Sequence, residues 1–511
     1  MKKILGRLLV VLPAVAIQIF WYYLLFGGLD FLMKGHLSDI IGSVFKVLAV
    51  FFVLVLVSKR EESSYKLLWV MVLLIAPILG AILYLSLGNR HTGKELKKRL
   101  KISAGEHSAA YTIGKEDLSG EIIKEDLRLG QTLGHIYATI GFPVLKNGTD
   151  RYYPFGEDMF ADMCSDLKTA QKYIFIEYFI IQRGKFWDTL TDILAERAAV
   201  GVDVRVIYDD LGSIATYSAS DIRDLASKGI RCIAFNPLLF LSTRLNNRDH
   251  RKITVIDGRI AYSGGVNLAD EYINEKEMFG RWKDIGFRIT GDGVRSYLYM
   301  FVEFWNAFSK DQIDKDRIGF ADPADTDGTE NGYILPYYDS PMREKHTSND
   351  LFTEILSMAT DHVWFYTPYL MLGDALFDAF IRAARRGVDV RIIMPGIPDK
   401  KMVYRLSRSY YRDLLKSGVK IYEYTPGFVH AKAFLADDEI AGIGTVNLDY
   451  RSLFLHFECY SLFYRADIIG ELKKDYLETL GECRERTLDD LNNGLLYRLT
   501  DCILRLLAPL L

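Results

Sequence analysis

Two stretches of the 511-residue sequence set an imidazole, an ammonium and a carboxylate at identical intervals: His250, Lys252 and Asp257, then His430, Lys432 and Asp437. Side chains alternate faces along an extended strand, so each histidine projects beside its lysine while Asp257 and Asp437 face away and support the turn that follows. Asp257-Gly258 is a two-residue hairpin signal, and the returning run leads into Gly264-Gly265-Val266-Asn267, where missing Cβ atoms let a backbone or ligand approach closely. The second copy ends in Gly444-Thr445-Val446-Asn447, and the two align without a gap from histidine to asparagine. An imidazole beside an ammonium suits phosphate. A neutral imidazole can attack phosphorus and hold it covalently. A second, protonated imidazole can give its proton to the leaving alkoxide and then act as base for an incoming alcohol. Lys252 and Lys432 would balance charge on the equatorial oxygens, with Asn267 and Asn447 donating hydrogen bonds. This scheme requires no metal and no cofactor. Zinc is disfavoured, because each histidine has a lysine two residues on and no cysteine or carboxylate shares its strand face. His36, His91, His107, His135, His346 and His362 have no such context and read as structural or exposed.

The elements that must position these groups follow an alternating α/β pattern. Residues 173–181 read as a buried strand, 186–200 as a helix, 202–208 as a strand, 221–228 as a helix and 230–235 as a strand, after which the first reactive hairpin comes. The order repeats at 362–370, 375–386, 388–394, 405–417 and 419–424, ahead of the second hairpin. Gly201-Val-Asp-Val-Arg-Val-Ile returns as Gly387-Val-Asp-Val-Arg-Ile-Ile, and the first copy carries nine extra residues within 238–247. The fold class is therefore α/β: two homologous lobes, each a mixed sheet flanked by helices. Their expected limits are 151–318 and 340–511, joined by a Gly/Pro/Asp/Thr-rich linker at 319–339. Packed about a pseudo-twofold axis, the lobes would bring both His-Lys pairs to one cleft.

The first ninety residues are strongly apolar. Candidate membrane spans are 8–27, 40–57 and 67–87, the middle one interrupted by Lys46, with Trp69 and Tyr84 near the ends of the third. A cleaved signal peptide is the rival for the first span, but the run is long and lacks a small-residue cleavage site. Basic residues on the two sides nearly balance, and the cluster from Arg90 to Lys101 tilts the orientation toward a cytoplasmic catalytic domain. Residues 91–150 read as a polar connector resting on the membrane surface. The net charge of −3 and pI near 6.3 give no basic signature, so no nucleic-acid partner is expected. Cys164, Cys232, Cys459, Cys483 and Cys502 are scattered and suggest neither zinc nor disulfides. At the C-terminus, Leu491, Leu495, Leu499, Cys502 and Leu506 form an apolar helical stripe, expected to pack into the core, with an interfacial helix dipping into the membrane as the alternative.

The paired H-x-K-x4-D-x6-G-[GST]-x-N pattern resembles that of the phospholipase D superfamily over about residues 153–511. With the apolar N-terminus, Asn447-Leu-Asp-Tyr-Arg-Ser452 and the final Ala508-Pro-Leu-Leu511, the chain is similar to bacterial cardiolipin synthases. That resemblance implies a multi-pass cell-membrane enzyme. It would take phosphatidylglycerol as donor and acceptor and produce cardiolipin and glycerol through a phosphatidyl-histidine. It also implies His250 as nucleophile, His430 as general acid and base, and the six motif residues, Asp257 and Asp437 included, as the catalytic set. Asp284 and Glu458 would orient the two imidazoles. His456 departs from the asparagine more usual there. A membrane-anchored phospholipase D or nuclease with the same phosphohistidine chemistry, and a non-enzymatic scaffold, are the alternatives.

Overall fold

The structure is a computed structural model that describes residues 36–59, 62–75, 80, 84, 94–104, 113–237, 246–314, 318, 331–343, 346–491 and 494–510. The chain divides into two compact units, 1–89 and 90–511. The first contains the helices His36–Ser58 and Ser63–Ile75, which pack on one another. Trp69 is buried edge-on between Tyr65 and Tyr84, at ring-centroid distances of 6.2 and 5.3 Å, and Lys59 Nζ donates to the Tyr84 hydroxyl at 2.9 Å. The expected span 8–27 lies outside the described residues. Span 40–57 falls within the first helix, and only the beginning of 67–87 falls within the second, most of its remainder lying outside the described residues. Among the described residues no helix is long and apolar enough to cross a membrane.

The second unit holds both repeats. In the first, seven strands lie in the order β2-β9-β7-β6-β3-β4-β5: β2 Asp150–Tyr153, β3 Tyr173–Tyr178, β4 Asp203–Asp209, β5 Arg231–Phe235, β6 Lys252–Ile256, β7 Ile260–Gly264 and β9 Gly286–Thr290. The second repeats that order as β10-β17-β16-β15-β11-β12-β13: β10 Tyr333–Asp339, β11 His362–Tyr366, β12 Asp389–Pro395, β13 Lys420–Tyr424, β15 Ala433–Ala436, β16 Ile440–Gly444 and β17 Glu458–Tyr464. Its edges are extended by β1 Leu145–Lys146 and β18 Cys483–Arg486. In both sheets the βαβ crossovers make the three strands on one side parallel, and the hairpins make the rest antiparallel. Every residue of β3, β10, β11 and β17 is buried, because these strands are covered on both faces.

The lobes share an apolar seam. The helix Gly293–Phe308 is buried through most of its length and packs on β3, β6 and β9 of one lobe and β10 of the other. Phe304 meets Phe457 and Phe287 meets Phe463 across the seam, at ring-centroid distances of 4.9 and 5.4 Å, and the Tyr297 hydroxyl bonds Ser461 Oγ at 2.7 Å.

Three expectations are corrected. The linker expected at 319–339 ends in a strand: β10 pairs with all of β17, so the second sheet starts at Tyr333. Its aromatic and aliphatic run is adjacent to a stretch of Gly, Asp and Thr that masked it. The connector expected at 91–150 is partly folded into the lobes. Residues 145–146 extend the second sheet, and the helix Leu127–Ile140, capped by the Asp126 carboxylate at one end and Gly141 in the left-handed region at the other, packs on the helix Thr347–Met358. Finally, the C-terminal stripe is not core: in the helix Leu495–Leu507, Leu495, Leu499 and Cys502 are exposed. Its polar side is held against the helix Lys401–Lys416 by Arg505, which donates to Ser409 Oγ at 3.2 Å and pairs with Asp413 at 3.3 Å.

Candidate active site between the two lobes

Each hairpin brings its histidine to the seam just ahead of its first strand, Lys252 being the first residue of β6 and Lys432 the residue before β15. Backbone bonds across the seam fix both histidines. The His250 N–H donates to the Phe457 carbonyl at 2.8 Å, and the His430 N–H donates to the Lys283 carbonyl at 2.7 Å. The second contact continues as a two-stranded parallel ribbon between β8 Arg281–Lys283 and β14 Gly427–Val429, one strand from each lobe. The residue after each accepting carbonyl is a carboxylate, so the register delivers it to the histidine of the opposite lobe. His250 Nδ1 lies 2.9 and 3.0 Å from the two Glu458 oxygens, and His430 Nδ1 lies 2.5 Å from Asp284 Oδ2. With each Nδ1 donating inward, each Nε2 keeps its lone pair toward the cavity.

Small differences between the copies accommodate the two carboxylates. A Cβ on Gly265 would sit 2.0 Å from Asp284 Oδ1, so glycine is required there. The equivalent Thr445 instead donates its hydroxyl to Glu458 Oε2 at 2.5 Å. Asp257 and Asp437, counted above with the catalytic set, do not reach the cavity. Asp257 accepts from the N–H groups of Gln171, Lys172 and Tyr173 at 2.7 to 2.8 Å, and Asp437 from those of Thr360, Asp361 and His362 at 2.7 to 2.9 Å. Both hold the hairpin turn onto the start of β3 or β11 at the far end of the strand.

Both imidazoles line one cavity of 580 Å³, together with Asn267, Asn447, Tyr272 and His456. Its apolar walls include Phe179, Leu211, Trp282, Met371 and Phe428. Asn267 accepts from the Ile180 N–H at 3.1 Å and donates to the Tyr272 hydroxyl at 2.7 Å, while Asn447 Oδ1 is buried without a hydrogen-bond partner. The lysines sit behind the imidazoles: Lys252 Nζ donates to the His250 carbonyl at 2.6 Å, and Lys432 Nζ donates to the His430 carbonyl. Lys432 Nζ is also 2.8 Å from His430 Nδ1, but a ring nitrogen that donates to Asp284 has no lone pair to accept it. Beneath the hairpin, Arg251 is buried against Glu177 and pairs with Asp249 at 2.9 Å, and Arg248 pairs with Asp209 at 2.8 Å.

Burial shapes the charges. It holds His250 well below the ordinary histidine range, with Lys252 adding to the effect. His430 is lowered to about 4 by burial and then Lys432, with Asp284 opposing. Burial also lowers Lys252 to about 8 and Lys432 to about 7, and it pushes the Glu458 carboxyl well above the usual range against the pull of Lys252. Both imidazoles are thus neutral at pH 7, as a nucleophile must be. An arriving phosphate would offset the lysines and let one of them take a proton.

The comparisons with known proteins agree with this geometry. The family described as "Cardiolipin synthase, PLD-like domain" matches residues 163–283 and 352–480, and the "Phospholipase_D-nuclease N-terminal" family matches 47–89. The cardiolipin synthase of Halalkalibacterium halodurans is 31% identical over 94% of this chain and 95% of its own. This chain belongs to the cardiolipin synthase family of phospholipase D-like enzymes. An uncharacterized protein of Streptococcus mutans is 40% identical over 90% of this chain and 99% of its own. The fold of this cardiolipin synthase family member is also that of a phosphatidylserine synthase from Haemophilus influenzae, at TM-score 0.57 and 14% identity over 77% of this chain and all of that one. What the sequence did not reveal is the exchange of carboxylates between lobes. Thr445 and Tyr272 were also missed, although Thr445 stands inside the motif itself.

Proposed function

We propose that the protein makes cardiolipin by moving a phosphatidyl group from one phosphatidylglycerol to another and releasing glycerol. The observation that carries this reading is the pair of histidines, each oriented by the other lobe's carboxylate, facing one largely apolar cavity. His250 Nε2 attacks the donor phosphorus and forms a P–N bond as the P–O bond to glycerol breaks. His430, protonated, gives its proton to the departing oxygen. His430 then takes the proton of the acceptor's hydroxyl, whose oxygen forms the new P–O bond as the P–N bond breaks. Glu458 and Asp284 stabilise whichever imidazole becomes cationic, and Lys252, Lys432, Asn267 and Asn447 balance the phosphoryl oxygens. One phosphodiester replaces another, so the exchange is nearly isoenergetic and runs backward when glycerol is abundant.

The N-terminal unit supports a membrane location. Val47, Phe51, Leu54, Leu67, Leu74 and Ile75 expose apolar side chains on its two helices, as a bilayer-facing surface requires. With the apolar stretch at 8–27, this surface supports a multi-pass place in the cell membrane, and the basic cluster from Arg90 to Lys101 favours lobes on the cytoplasmic side. Tethering raises the effective concentration of lipid acceptors over soluble ones. A nuclease is not favoured, because the cavity walls carry aromatic and aliphatic side chains and the chain has no net basic charge. The test is the lipid pool formed by purified protein from phosphatidylglycerol micelles. Cardiolipin with free glycerol, reverting when glycerol is added, is the expected result. Phosphatidic acid as the main product, with no cardiolipin, would make water the acceptor and overturn the reading.

A further inference from the structure

The C-terminal helix Leu495–Leu507 is mounted the wrong way round for a water-facing helix. At 100° per residue, Leu495, Leu496, Leu499, Cys502 and Ile503 fall on one face about 120° wide. That face points outward: Leu495 is 76% exposed, Leu496 80%, Leu499 54% and Ile503 59%. The polar side points inward. Arg505 bonds Ser409 and Asp413, Asp501 pairs with Arg405 at 3.5 Å, and the Arg405 guanidinium stacks over the Tyr497 ring at 4.3 Å. These contacts lock the orientation, so the apolar face is a fixed surface rather than a loosely packed core.

The neighbouring helix Lys401–Lys416 ties this face to the active site. Asp501 meets Arg405 and Arg505 meets Ser409 and Asp413, so the two helices run parallel and the first turn, with Leu495 and Leu496, lies toward the Lys401 end. There Lys400 and Val403 line the catalytic cavity and Met402 is 60% exposed. Exposed Lys400, Lys401 and Arg498 flank the apolar residues, as anionic headgroups would require.

We propose that this face is a lipid-docking surface: the helix Leu495–Leu507 and Met402 insert into the interfacial layer of an anionic phospholipid bilayer and set the cavity mouth at the level where lipid substrates enter. The proposal rests on the phosphatidyl-transfer reading for its substrate, though not for the docking itself. The test uses the full-length chain, one copy per nanodisc containing phosphatidylglycerol, with an environment-sensitive dye on the exposed thiol of Cys502 and Cys502→Ser as the control for labelling elsewhere. Nitroxide-bearing lipids quench the dye and aqueous iodide does not. A combined Leu495→Glu, Leu499→Glu, Ile503→Glu variant loses at least tenfold activity on bilayer phosphatidylglycerol. It stays within about twofold of wild type on a monomeric short-chain analogue. Quenching by iodide alone, shielding that requires a second copy of the chain, or equal losses on both substrates would overturn the proposal. If wild type makes no cardiolipin from the short-chain lipid, the functional reading fails, and lipid quenching still decides the docking face.

Discussion

The exchange of carboxylates between lobes makes a prediction that an arrangement within each lobe does not. Glu458 belongs to the second lobe, yet both its oxygens lie within 3.0 Å of His250 Nδ1 in the first. A hydrogen bond to a charged group contributes about 1.5 to 3 kcal/mol, so losing it from the imidazolium that forms during turnover costs roughly 10- to 150-fold. Glu458→Gln adds a second penalty. Its amide NH2 donates to Nδ1, which moves the ring proton to Nε2 and removes the lone pair that attacks phosphorus. Together these give a loss on the order of 10³- to 10⁴-fold, the size expected when an orienting carboxylate behind a reacting histidine becomes an amide. The assay is single-turnover formation of the covalent intermediate with phosphatidylglycerol labelled in its phosphate, with thermal melts to show that the variants fold. Glu458→Gln should be slow to label, like His250→Ala. Asp284→Asn should resemble His430→Ala, impaired in expelling glycerol but with the nucleophile's lone pair intact. Wild-type labelling in Glu458→Gln, together with none in Asp284→Asn, would refute the pairing.

Gly265→Ala should cost activity as Asp284→Asn does, because the added methyl would sit 2.0 Å from the Asp284 carboxylate; full activity with an unchanged melt would contradict this packing. Asp257→Ala should lower stability by about 2 kcal/mol, from three backbone N–H groups losing their acceptor near the surface, with thermal melts as the readout. The fraction that stays folded should still form the intermediate on His250, and a normal melt with no labelling would return Asp257 to the chemistry. The pH dependence of kcat/KM, which reports the free enzyme, should fall on the alkaline side. Raising the pH discharges Lys432 through about 7 and Lys252 through about 8, and with them the cations that balance phosphate. On the acid side, activity should persist well below pH 6.5, since His250 must stay neutral and burial lowers its proton affinity. A flat profile from pH 6 to 10 would contradict the role of the lysines.

Much of this architecture was legible in the residues. Strands expected at 202–208 and 388–394 form β4 Asp203–Asp209 and β12 Asp389–Pro395, because an apolar run after Gly201 or Gly387 in a βαβ pattern leaves little else for the chain to do. Asp257 and Asp437 do stand away from the histidines, but both occupy the left-handed turn just past β6 or β15 rather than a position in the strand, and their carboxylates serve that turn. What could not be read was long-range. Glu458 lies 208 residues from His250 and Asp284 lies 146 from His430, so local periodicity carries no information about which lobe each carboxylate serves. The strand at Tyr333–Asp339 was hidden by its Gly- and Asp-rich neighbours. The C-terminal stripe has the periodicity of a core helix, but periodicity shows only that a face is apolar, and the contacts of Arg505 and Asp501 decide which way it turns.

The most direct test of the central claim is to find where the phosphorus sits during turnover. Rapid quenching of wild-type protein with short-chain phosphatidylglycerol, digestion at alkaline pH and mass spectrometry should place a phosphatidyl adduct on the peptide that contains His250, with none in His250→Ala. An adduct on His430 instead, or undiminished cardiolipin formation in His250→Ala, would contradict the account.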